Sequence, residues 1–82
     1  MNKMEIIETV GKKISENILK QPNLKLEPEE KLLSTGVIDS FSLVDLALMV
    51  EDTFGVRIED FELNSDTFDS LGQLSEIILS RM

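Results

Sequence analysis

Apolar residues recur at intervals of three and four in three separate stretches of this chain, and proline and glycine separate the stretches. That pattern is the signature of amphipathic helices, each with one face to bury. Ile7, Val10, Ile14 and Ile18 mark a helix over residues 4–19, which Gln21-Pro22-Asn23 ends, because proline disfavours helix in the residue before it. Leu43, Leu46, Ala47, Val50 and Phe54 mark a second helix, from about Ser40 to Phe54, with Gly55 as its left-handed cap residue. Leu71, Leu74, Ile77 and Ile78 mark a third, capped by Asp69 or Ser70 and running to about Arg81. Val56-Arg57-Ile58 reads as short and extended, and residues 59–63 as one further helical turn. The fold class that follows is all-α: a small four-helix bundle of three main helices and one short one.

The connection over residues 21–39 is long for so small a chain, and loops of that length tend to be functional. It carries Leu24, Leu26, Leu32 and Leu33, which predict packing against the core. The 82 residues form one domain, 1–82, near the lower size limit for folding on a single apolar core. Cysteine is absent, so disulfides play no part, as suits a reducing compartment. No stretch approaches the ~18 apolar residues of a membrane span, and the first residues lack a signal-peptide apolar region. A soluble, cytoplasmic monomer is the expectation.

Charge is divided unevenly. Residues 1–35 hold six lysines and six acids, whereas residues 36–82 hold only Arg57 and Arg81 against ten acids and so carry the whole net charge of −8. An acidic half of this kind disfavours nucleic acid and anionic membrane as partners and favours proteins with basic docking surfaces. Acidity that only keeps a small domain soluble is the plainer reading of the same excess.

The second helix has more apolar surface than a core needs. With successive residues ~100° apart, Phe41, Val44 and Leu48 fall on a different side from the core stripe, and Asp45, Glu51 and Asp52 surround them. Exposed apolar residues rimmed by charge mark a contact surface. The competing reading buries this second stripe under the 21–39 connection.

At the entrance of that helix stands Gly36-Val37-Ile38-Asp39-Ser40-Phe41. Asp39 is placed to cap the helix, its carboxylate accepting from N–H groups two or three residues on. Ser40 would be a second cap on a plain reading. A hydroxyl there also faces the positive end of the helix dipole, where a phosphate is favoured. The sequence has no histidine or cysteine, and no lysine within residues 32–82, so Ser40 has no base to make it a catalytic nucleophile. Attachment of a group by another enzyme suits it better, and the chain is expected not to be an enzyme.

Asp60, Glu62, Asn64 and Asp66 alternate like a calcium loop, but Ser65 replaces the sixth-position glycine and Leu71 the twelfth-position glutamate, so no dedicated metal site is expected.

Residues 36–60 resemble the phosphopantetheine-attachment region of acyl carrier proteins: a glycine, Asp39-Ser40 followed by large apolar Phe41, a helix ending in an acidic pair and Phe54, then Val56-x-Ile58. The resemblance extends over the chain in length and helix order. It implies that Ser40 carries a covalent 4′-phosphopantetheine taken from coenzyme A, with Asp39 as the adjacent motif residue and Mg²⁺ used only by the modifying enzyme. The arm would hold an acyl or aminoacyl group as a thioester for delivery to other enzymes. The partners implied are a phosphopantetheinyl transferase, an acyl- or aminoacyl-activating enzyme, and a downstream synthase or transferase. These would dock on Phe41, Val44, Asp45, Leu48, Glu51 and Asp52. Phe41 and Ser42 depart from the fatty-acid-synthesis carriers, and Ile38-Asp39-Ser40-Phe41 looks more like carriers of D-alanine or other amino acids and stand-alone carriers of specialised pathways. The alternative of another class is a helical adaptor that binds partners noncovalently through Phe41, Val44 and Leu48.

Overall fold

The structure is a computed structural model that describes residues 2–39 and 41–82. Three helices build it: α1 (Lys3–Lys13), α2 (Ser42–Phe54) and α3 (Leu71–Arg81). The short helix expected between the last two is a 3₁₀ turn over Asp60–Glu62, and no strand occurs among the described residues. Among the described residues no helix is long and apolar enough to cross a membrane.

Asn2 and Glu5 start α1 with a reciprocal capping box: the Asn2 side chain accepts from the Glu5 N–H at 2.9 Å and the Glu5 carboxylate from the Asn2 N–H at 3.3 Å. The helix does not continue regularly to residue 19 as its periodicity predicts. Residues Ile14–Ile18 widen into a π turn, in which the Leu19 N–H reaches back five residues to the Ile14 carbonyl. Lys20 then takes a left-handed conformation, φ 58°, and the Gln21 N–H closes the end on the Ser15 carbonyl at 2.7 Å.

α1 and α3 run antiparallel, with Lys3 paired to Glu76 at 2.9 Å near one end and Gly11 against Leu71 near the other. A Cβ at Gly11 would lie 3.1 Å from Leu71 Cδ1, so the absence of a side chain there is what lets the helices approach. Ile6, Val10, Ile14, Leu46, Val50 and Ile78 form the centre of the core, with Phe68 and Leu74 beside them. Ile6 was not part of the predicted stripe, whereas Ile18 and Ile77, which were, are only half-buried.

The long connection is sewn to this core. Leu26, Leu32 and Ile38 are buried and Leu33 half-buried, while Leu24 is exposed, contrary to the expectation that all four leucines pack. Its backbone is tied at two points of its first half: the Ser15 hydroxyl donates to the Leu24 carbonyl at 2.8 Å, and the Gly72 N–H to the Pro28 carbonyl at 2.9 Å. Asp69 provides the main anchor. Its carboxylate accepts from the N–H groups of Leu33 and Ser34 at 2.7 and 2.9 Å, and its carbonyl from the Leu32 N–H at 2.6 Å. Ser70, not Asp69, caps α3 by accepting from the Gln73 N–H. Val56 and Ile58 bury on either side of exposed Arg57 as the extended segment returns to the core.

Candidate functional site

Asp69 holds the connection eight residues before the Gly36–Phe41 motif turns into α2, so the motif departs from a fixed point. The Leu32 carbonyl accepts from the Ile38 N–H at 3.0 Å, and Ile38 is buried; both set the position from which Asp39 emerges. Asp39 is exposed, and its carboxylate accepts from the Ser42 N–H at 2.8 Å. This three-residue reach is the geometry of an N-cap, so Asp39 performs the predicted capping although regular helix begins only at Ser42. The Ser42 N–H, and after it the Ser42 hydroxyl, hold the Asp39 carboxyl below the ordinary carboxylate range. Sequence reasoning counted the N–H groups of this helix entrance as open to a phosphate; the Ser42 N–H is already taken by Asp39. Ser40 lies outside the described residues.

The flanks of Ser40 are open to an incoming enzyme. Asp39 precedes it at the surface and Phe41, 88% exposed, follows it. An apolar side chain left that far in water is costly unless something covers it in use. Val44 and Leu48 are 54% and 60% exposed, so the 21–39 connection does not cover the second stripe. Leu43, Leu46 and Val50 of the same helix are buried, with Ala47 and Phe54 half-buried, and the two faces are therefore distinct as the periodicity predicts. Asp45, Glu51 and Asp52 are all exposed around the outer stripe. Gly55, at φ 70°, ends the helix in the left-handed conformation, its N–H on the Glu51 carbonyl at 2.8 Å.

Of the exposed apolar side chains that the sequence reading did not single out, Phe61, in the 3₁₀ turn, is the most exposed at 79%. Its signal was available, since a phenylalanine between Asp60 and Glu62 belongs to no helical stripe. Of the two carboxylates beside it, Glu62 is committed elsewhere. Glu62 is buried and accepts from the Arg81 guanidinium, which holds its carboxyl below the ordinary range, with the Glu59 N–H adding to the effect. Arg81 also donates to the Arg57 carbonyl at 3.0 Å, so one fork closes the end of α3 onto the segment before the turn. Asn64 accepts from the Asp66 and Thr67 N–H groups at 3.0 Å each, so within residues 60–66 it is the Asn64 side chain that shapes a turn.

The residues present fit a phosphodiester-linked arm. The helix entrance is capped by Asp39, has exposed residues at 39 and 41, and is fixed from behind by Asp69.

Comparison with known proteins agrees with this arrangement. Residues 12–78 match the family described as the phosphopantetheine attachment site. The chain is 25% identical over 79 residues to the D-alanyl carrier protein of Bacillus subtilis (strain 168), covering 92% of this chain and 95% of that protein. Its fold superposes on the crystal structure of an acyl carrier protein from Thermotoga maritima with a TM-score of 0.74 and 26% identity, covering 99% of this chain and 91% of the other. Members of this family are carriers on which partner enzymes such as transferases and synthases act, and are not themselves enzymes. The helices, their order and the attachment motif thus converge: this chain belongs to the phosphopantetheine-binding carrier proteins, whose cofactor is a covalently attached 4′-phosphopantetheine.

Proposed function

We propose that Ser40 is the attachment residue and that the chain carries an acyl or aminoacyl group between enzymes, with an aminoacyl group as the favoured cargo. The observation that carries the attachment reading is the Asp39 cap on Ser42 beside a fully presented Phe41. Asp39 stabilises the helix entrance by accepting from the Ser42 N–H, so the cap that this entrance needs is supplied by the residue before Ser40. The arm, when bound, supplies a terminal thiol on which the cargo is held as a thioester. This chain's own residues do the rest: Asp39 orders the start of α2, Asp69 fixes the loop behind it, and the α2 stripe meets the enzymes. Phe41, Val44 and Leu48 supply apolar contact, and Asp45, Glu51 and Asp52 supply attraction that speeds encounter.

Likeness to the D-alanyl carrier of Bacillus subtilis supports the aminoacyl cargo. The partners on this reading are a phosphopantetheinyl transferase, an enzyme that activates an amino or other carboxylic acid, and a downstream synthase or transferase. Incubation with coenzyme A, Mg²⁺ and a broad-specificity transferase is expected to add the mass of one phosphopantetheinyl group to the wild type and none to Ser40→Ala. Persistent modification of folded Ser40→Ala refutes the assignment of the residue. Failure of the wild type to gain mass favours the noncovalent adaptor instead.

A further inference from the structure

The acidic edge of α2 faces a wall of opposite sign. A groove of about 680 Å³ runs between the end of α1 with its π turn and α2 from Asp45 to Thr53. Lys13 and Asn17 line it from the first side, and Asp45, Leu48, Glu51 and Asp52 from the second. Were Lys13 there only to neutralise α2, it would be paired with one of the three carboxylates. It is not: the ion pairs among the described residues are Lys3–Glu76, Arg57–Glu59 and Arg81–Glu62. The groove therefore presents one cation and three anions that are all available to a second molecule, beside a leucine that is 60% exposed.

The π turn shapes the first wall. Its five-residue closure from Leu19 to Ile14 departs from the regular helix just after Lys13, and Asn17 lies within it. This turn ends the helical run that begins at Lys3, so Lys13 and Asn17 stand on its last two turns.

We infer that this groove seats a docking element of a partner enzyme that carries both signs of charge: an arginine toward Asp45, Glu51 and Asp52, and a carboxylate toward Lys13, with an apolar side chain on Leu48. The inference rests on the carrier reading of α2 and deepens it by adding α1 as a selecting wall. Arginine suits the acidic side because its planar fork matches carboxylates and it is weakly hydrated. A uniformly basic element meets Lys13 as a like charge, which disfavours it relative to the mixed element. Lys13 is thus a specificity-determining residue for partner choice.

The test uses two short helical peptides with one leucine each, one presenting arginine and glutamate on the same face, the other with arginine in place of the glutamate. Each is titrated into the ¹⁵N-labelled full chain at low salt, as wild type, Lys13→Glu and Lys12→Glu. The last variant makes the same change of net charge at the neighbouring exposed lysine, outside the groove. The ratio of mixed-peptide to basic-peptide affinity is expected to fall about fivefold in Lys13→Glu and to stay within about twofold in Lys12→Glu. Amide shifts are expected at Lys13, Asn17, Leu48 and Asp52. An equal change in both variants, no change in either, shifts confined to other surfaces, or no binding of either peptide to the wild type overturns the inference. Intact mass after transferase treatment of the same samples separates the two readings. A wild type that gains the arm while the ratio stays fixed refutes the groove alone, whereas a wild type that never gains the arm refutes the carrier assignment of Ser40.

Discussion

Ser75 lies on the inner side of α3, is 0% exposed, and its Oγ has no hydrogen-bond partner among the described residues. A buried hydroxyl in that state has given up water and received nothing in return, which costs about 1–3 kcal/mol. Ser75→Ala removes it. Against that gain stands the void left by one oxygen atom, about 10 Å³, which at the measured cost of cavities subtracts roughly 0.3 kcal/mol. Alanine also exceeds serine in helix propensity by about 0.5 kcal/mol at a mid-helix position. The balance is a stabilisation of about 1–3 kcal/mol. For a chain of this size that raises the melting temperature by roughly 5–20 °C. In urea, with a slope of about 1 kcal/mol/M, the midpoint moves up by about 1–3 M at unchanged slope. Circular dichroism of wild type and variant, melted and titrated under the same buffer, measures both. A loss of stability of about 0.5 kcal/mol or more in Ser75→Ala refutes the reasoning, because it means the hydroxyl makes a favourable bond in the folded protein.

Lys20→Gly relieves the left-handed backbone at φ 58° and is expected to stabilise by about 0.5–1 kcal/mol after the extra entropy of unfolded glycine is subtracted; urea titration reads it. Arg81→Ala strands the buried Glu62 carboxylate and frees the end of α3, and is expected to lower the melting temperature by about 5 °C. The folded carboxyls of Asp69 and Glu62 sit below their ordinary range, the first held there by Ser34 before any other group and the second by Arg81. Their stabilisation is therefore present above the unfolded values, about 4, and is lost as pH falls through the lower folded values. Melting temperature is expected to drop below about pH 4 in the wild type and to drop less steeply in Asp69→Asn, whose starting stability is lower. Reversal of Asp45 and Glu51 to lysine is expected to slow arm transfer at low salt and to matter less at high salt; equal rates at low salt contradict the docking role of α2.

Elements governed by local pattern were readable from the sequence. The two stripes of α2, its Gly55 end, the Asp39 cap and the inner face of α3 all rest on residues within a turn or two of one another, and the structure has each of them. What escaped depends on contacts between distant residues. Asp69 reads locally as a helix cap, but Leu33 and Ser34, more than thirty residues away, claim its carboxylate and leave capping to Ser70. The π turn escaped because Ile14 and Ile18 fit an ordinary helical stripe equally well; the widening coincides with the packing of Ser15 on the Leu24 carbonyl, which no spacing within α1 encodes. Glu62 reads as one more surface acid, and its burial follows from the reach of Arg81 across the 3₁₀ turn. At the site itself, the exposure of Phe41, Val44 and Leu48 followed from having more apolar surface than one core face uses, whereas the opposing Lys13 wall required the fold to bring α1 beside α2.

The most direct measurement is the location of the attached group. Trypsin releases Leu32–Arg57 as one peptide, which contains Ser34, Thr35, Ser40, Ser42 and Thr53. Tandem mass spectrometry of the transferase-treated protein is predicted to find one phosphopantetheinyl group on this peptide, with fragment ions that assign it to Ser40. Assignment to Ser42 or another hydroxyl, or an unmodified peptide from a folded sample, contradicts the account.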